Sequence, residues 1–151
     1  MSEEVNVIVE NKKLDYASIG NRIIAAILDG IILIFINFIV GMVLTITINQ
    51  SSSTSDESLN SLNNLINILI SYGYIAYLMS SESQATLGQM AMGIKVTDEN
   101  GNRITFVAAT IRYFMSLVSG IILAIGYLMA LFNDKKQTLH DLVAKTVVLK
   151  K

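Results

Sequence analysis

Cysteine is absent from this 151-residue chain, which excludes a disulfide framework and any thiolate metal site. Tryptophan and proline are missing as well, and histidine occurs once. A single histidine cannot supply the ligands of a metal-dependent phosphohydrolase, so the "LHD" triplet ending at Asp141 is not read as one. No nucleophile–base pair and no cofactor loop stands out, and neither enzymatic activity nor a bound metal or cofactor is expected. Charge is scarce. Charged residues make up 15% and the net charge is −1, whereas nucleic acid calls for a basic surface.

What remains is apolar. Hydrophobic residues make up 52% of the chain and lie in long runs, the pattern of an integral membrane protein. The first twenty residues begin acidic and hold no apolar core of signal-peptide length, so the first hydrophobic run is expected to serve as its own membrane address.

Three hydrophobic segments follow, at about 19–48, 60–80 and 104–132. In the first, Ser18 is a plausible helix cap, and the stretch from Ile23 to Ile48 is broken only by Asp29 and Asn37 among mostly large apolar residues. As a helix it would be ~39 Å long, more than the ~30 Å hydrocarbon core. In the second, Asn60, Asn64, Asn67, Ser71 and Tyr74 recur at steps of three or four and are expected on one helical face. The third carries Arg112 inside it and Ser119-Gly120 near its midpoint. A polar element at about 86–104 lies between the second and third. There Thr86 can cap a short helical turn, and "GIKVTD" and "RITF" flank Asn100-Gly101 as in a β-hairpin. The last residues, about 145–150, read as another strand, able to pair with "GIKVTD". Near the N-terminus "VNVIV" alternates like a short strand as well.

Charge asymmetry sets the expected orientation. The loop between the first two segments has Asp56 and Glu57 and no basic residue, whereas the tail carries Lys135, Lys136, Lys145, Lys150 and Lys151. Basic residues stay on the cytoplasmic side, which puts the loop outside and both termini inside. Three simple crossings would leave the tail outside. Even parity follows if 104–132 enters and returns, bending near Ser119-Gly120, with each arm only ~20 Å long.

Several of these features occur together in one known family. Arg22 and Asp29 open the first membrane helix, "TLGQMAMGIKVTDENG" follows the second segment, Arg112 opens the third, and "TLHDLVAKTVV" closes the chain. The chain resembles the RDD family of small bacterial membrane proteins from about Tyr16 to Leu149. Carried over by position, the arginine of the name is Arg22 and the two aspartates are Asp29 and Asp141. Where the family usually has basic residues after Thr-Leu-Gly, this chain has Gln89 and Met90. The resemblance implies transport, with sodium–proton exchange ascribed to some members.

Two roles for Asp29 compete. Arg112 could neutralise it and lock the helices together, or poor solvation could let it exchange a proton for a cation. Asp141 is expected to pair with Arg22 or Arg112 at the cytoplasmic rim, or to cap the last helix. His140 is read as a rim residue. Asn37, Asn64, Asn67 and Ser71 could line a wet path or act as helix–helix glue.

The expectation is therefore an all-α membrane protein, a helical transmembrane bundle of three to four hydrophobic segments with a small cytoplasmic β element. Its leading function is a cation- or proton-coupled transporter component in the bilayer. It would be completed by a second copy or a partner subunit, because so short a chain shows no internal repeat. A non-transporting scaffold that binds a partner protein is the alternative.

Overall fold

The computed structural model describes residues 14–49, 56–121 and 129–151. The strand expected at "VNVIV" lies outside the described residues. The architecture is mostly helical, with one two-stranded sheet.

Helix α1, Ile19–Asn49, runs for 31 residues. Ser18 caps it as expected, its Oγ accepting from the Asn21 amide at 3.2 Å. Among the described residues this is the one helix both long and apolar enough to cross a bilayer, over Ile19–Thr47. Ile34, Phe35 and Phe38 stand 65–71% exposed along it. Large apolar side chains displayed together in this way belong against lipid rather than water. Helix α2, Asp56–Ser80, begins earlier than the apolar pattern alone indicates.

After α2 comes a five-residue helix, α3 (Leu87–Ala91), then strand β1 (Ile94–Asp98) and helix α4 (Phe106–Ile121). A 3-10 turn at Met129–Leu131, helix α5 (Leu139–Val143) and strand β2 (Thr146–Lys150) complete the chain. The apolar part of α4, Phe106–Ser119, is shorter than a full crossing needs.

The expected hairpin is not formed. Asn100-Gly101 does turn the chain, with the Asp98 carboxylate accepting from the amides of Asn100 at 2.9 Å and Asn102 at 2.7 Å. "RITF" does not return as a strand, because its residues are engaged elsewhere. Arg103 Nε donates to the Ser80 carbonyl at 2.6 Å, Ile104 enters the core, and the Thr105 hydroxyl caps α4 through the Ala108 amide. β1 pairs instead with β2, antiparallel, with Ile94 opposite Lys150 and Asp98 opposite Thr146. That is the other pairing the sequence offered. The segment before α1 joins the same sheet edge, through a bridge between Tyr16 and Leu149 and the Ala17 amide donating to the Val148 carbonyl at 2.9 Å.

The bend expected at Ser119-Gly120 is also absent, since α4 continues as helix through both residues to Ile121. The chain nevertheless comes back. Ala130 to Asp134 share a surface hollow with Ser18 and Ile19, at the start of α1. The start of α1, the end of α2 and the start of α4 thus meet at the sheet. The core there is made of small residues, Ala17, Ala25, Ala76 and Ala109, packed against Ile94, Val96 and Val148. Small side chains let helix backbones approach closely, which in a membrane substitutes for a missing hydrophobic drive.

Candidate functional site

Three charged residues from distant parts of the chain converge beside the sheet. Asp141 is fully buried, and Arg22 and Arg112 are 8% and 6% exposed. Arg22 Nη1 donates to Asp141 Oδ2 at 2.7 Å, and Arg112 Nη1 donates to Asp141 Oδ1 and, at 2.8 Å, to the Thr146 hydroxyl. Asp141 thus bridges α1 to α4 through both arginines. Its place follows from local structure. Thr138 precedes α5, and both its amide (3.0 Å) and its hydroxyl (2.7 Å) donate to Asp141 Oδ2, so local contacts orient the carboxylate that the two arginines share. Pairing with either arginine and capping of the last helix were alternatives in the sequence; the structure combines them.

Asp29 has a different environment. Of the two readings the sequence left open, the pairing with Arg112 does not form, and Arg112 goes to Asp141. Asp29 accepts instead from the Tyr74 hydroxyl at 2.7 Å, the Thr86 hydroxyl at 2.5 Å and the Gly88 amide at 2.8 Å. No lysine, arginine or histidine among the described residues forms a salt bridge with it. Thr86 and Gln89 form a capping box at the start of α3, which turns the Thr86 hydroxyl and the Gly88 amide toward α1. Gly88 is required by contact. A Cβ there would lie 2.3 Å from the Ala25 carbonyl oxygen and 2.8 Å from Asp29 Cγ.

Between these two clusters is a cavity of about 240 Å³. Arg22, Arg112, Thr138 and His140 line it, as do Asp29 and Gln89; Leu33, Ile75 and Met79 supply apolar wall. Along α1 its lining residues Arg22, Ala26, Asp29, Gly30 and Leu33 follow helical spacing, and Asn37 lies one turn beyond on the same face.

The polar stripes fall partly where the sequence placed them. Asn37 and Asn67 are half-buried, and their side-chain oxygens are enclosed without a hydrogen-bond partner among the described residues. So are Asn63 Oδ1 and Ser119 Oγ. Ser71 is half-buried, whereas Asn64 is exposed, and Asn63 takes the inward place assigned to it. The stripe changes at one position only, because a run "LNNLIN" gives two asparagine faces and only packing chooses between them.

His140 is 7% exposed, and its Nε2 lies 2.9 Å from the Thr138 hydroxyl. Burial, with Arg112 and Arg22 nearby, pushes its pKa from 6.5 down to about 3. The folded chain therefore keeps it neutral while the unfolded chain takes up a proton below 6.5. Its stabilising contribution is full above that pH and is lost progressively as pH falls from 6.5 toward about 3. In melts across this range His140→Asn should flatten the acid side of the profile; an unchanged slope would refute the assignment.

A family model described as the RDD family matches residues 16–145, nearly the whole chain and all the charged residues above. The chain belongs to the RDD family. Among its relatives, a Bacillus subtilis protein named only as uncharacterized protein YxaI is 44% identical over 58% of this chain and 57% of its own length. A proline-rich antigen homolog of Mycobacterium tuberculosis is 26% identical over 83% of this chain and 60% of its own length. The proline-rich antigen of Mycobacterium leprae is 29% identical over 68% and 43%. This chain thus spans about half the length of the relatives it matches. No solved structure matches it.

In this RDD chain the three residues carried over from the family resemblance, Arg22, Asp29 and Asp141, do not form one cluster. Arg22 and Asp141 meet with Arg112, while Asp29 sits across the cavity with hydroxyl and amide donors. Tyr74, Gly88 and Gln89 were not singled out as partners of Asp29 or as cavity wall. The available signal was the paired capping pattern, "TLGQ" at Thr86–Gln89 and "TLHD" at Thr138–Asp141, each of which anchors one of the two carboxylate clusters.

Proposed function

We propose that this RDD-family membrane protein is a cation- or proton-coupled transporter component, with Asp29 as the coupling residue. The observation that carries this reading is the setting of Asp29, a carboxylate facing a cavity, held by neutral donors and with no salt bridge to a cationic side chain among the described residues. Ionisable groups at membrane depth are costly, and such a group is best explained by a mobile partner, a proton or a monovalent cation. The enclosed oxygens of Asn37, Asn63, Asn67 and Ser119 add to it. An enclosed oxygen without a partner costs about 1–3 kcal/mol, and none has one among the described residues, so a passing water or cation would relieve that cost. Arg22 and Arg112 set the field at the other end of the cavity, and Asp141 fixes them.

In this reading the chain is multi-pass, with both termini cytoplasmic. The return of residues 130–134 to the start of α1 supports even parity, and the lysine-rich tail supports the inside placement. A second copy or a partner subunit would complete the pathway. The deciding experiment is flux into liposomes under Na⁺, K⁺ or Li⁺ gradients, following internal pH, for wild type and Asp29→Asn. Asparagine can still accept from Tyr74 and Gly88 through its Oδ1 and can donate to the Thr86 hydroxyl through its NH2, but it carries no charge. Cation-dependent pH change in the wild type and its loss in a folded variant are expected. Equal flux in both, or none in either, would sink the proposal.

A second reading, a non-transporting scaffold that binds a partner protein, is favoured by one observation. Asp29 and Asp141 each tie a short capped helix to α1. On that reading Asp29→Asn changes accumulation or partner capture and no flux exists to lose.

A further inference from the structure

The cavity has a polar end and an apolar end, and its polar end is electropositive. Two guanidiniums, Arg22 and Arg112, line it against the single carboxylate of Asp141. Gln89 adds a donor. Its Oε1 accepts from the Thr86 amide at 3.1 Å within the capping box, which leaves its NH2 as the group available to donate. Leu33, Ile75 and Met79 make the wall apolar away from the arginines. Asp29 lies seven residues, ~10.5 Å, further along α1 than Arg22, and its carboxylate already accepts from three donors. An anion is therefore directed to the arginine end.

We propose that this cavity binds one oxyanion, a phosphate carried on an apolar body, with the phosphate between Arg22, Arg112 and Gln89 and the apolar portion along Leu33 and Ile75. Guanidinium pairs recognise phosphate by charge-assisted, forked hydrogen bonds. About 240 Å³ accommodates a headgroup and the first few carbons of a chain, not a whole lipid. The proposal stands independently of ion transport, since it concerns the arginine end and not Asp29.

Gly30 provides a clean test. It lines the cavity, and a Cβ built on it meets nothing within 4 Å. Gly30→Leu would carry an apolar side chain into the space while leaving Arg22, Arg112 and Asp141 themselves unchanged, and with better helix propensity. Binding to the full chain in a neutral maltoside detergent would be followed by calorimetry and native mass spectrometry. The probes are dihexanoyl phosphatidic acid, dihexanoyl phosphatidylcholine and inorganic phosphate. Saturable binding of the phosphatidic acid is expected, at least about tenfold tighter than the phosphatidylcholine and weakened about tenfold or more in a normally melting Gly30→Leu. If inorganic phosphate binds as tightly and is equally displaced by Gly30→Leu, the oxyanion site stands and its natural ligand is a free phosphate. Equal binding of both lipids, undiminished binding to Gly30→Leu, or no binding of any probe would overturn the proposal.

Discussion

Asp141→Asn is expected to destabilise the protein by about 3–5 kcal/mol, the usual result of removing one member of a buried charge cluster and leaving the other uncompensated. The asparagine has nearly the same shape, so the loss reports charge rather than volume. Asp141 is fully buried, and Arg22, Arg112 and Thr138 all donate to it. Without it, two guanidiniums remain almost wholly enclosed with no carboxylate between them. Equilibrium unfolding in matched detergent is the measurement, and a loss under about 1 kcal/mol would contradict a fully desolvated triad. If the variant does not accumulate, the combination Arg22→Met, Arg112→Met and Asp141→Leu should restore accumulation. Replacing an entire buried ion cluster with apolar side chains is often neutral or better. Failure of that combination would mean the cluster carries specificity that apolar packing cannot supply.

Gly88→Ala is expected to cost at least about 1–3 kcal/mol, the range for forcing one extra carbon into a packed site. The added carbon would lie 2.3 Å from a backbone carbonyl of α1, at Ala25, so no side chain can rotate out of its way. α3 would have to move off α1. That movement would lengthen the Gly88 amide and Thr86 hydroxyl bonds to Asp29, now 2.8 Å and 2.5 Å. Under the transporter proposal the same variant should lose any Asp29-dependent flux as well as stability, whereas Gly73→Ala, where a Cβ meets nothing within 4 Å, should leave both unchanged. A Gly88→Ala protein that melts like the wild type would show that α1 and α3 are not in this contact.

Legibility followed the range of the interaction. Ser18 and Thr86 act as helix caps, as the sequence suggested, because a cap is decided within three residues. The β1–β2 pairing was visible as a possibility, but the local Asn100-Gly101 signal also pointed to a hairpin. Competition from Ser80, the core and the Thr105 cap decided against it. Asn63 against Asn64 was undecidable for a related reason. Adjacent asparagines on a helix differ by about 100° in direction, and only the neighbouring helices say which direction is inward.

The sequence by itself determined the class of the molecule. A long apolar helix over about 19–48 with almost no charge and a basic tail could be read without coordinates, because composition and short-range spacing encode them, and the resemblance to the RDD family marked its charged positions. Only the tertiary structure decided how those charges are partnered. Arg112 could have gone to Asp29 or Asp141. It goes to Asp141, whose carboxylate Thr138 also holds, while α2 brings the Tyr74 hydroxyl and α3 the Thr86 hydroxyl and the Gly88 amide to Asp29. The choice rests on contacts spanning 29 to 119 residues of sequence, and no local pattern contains them.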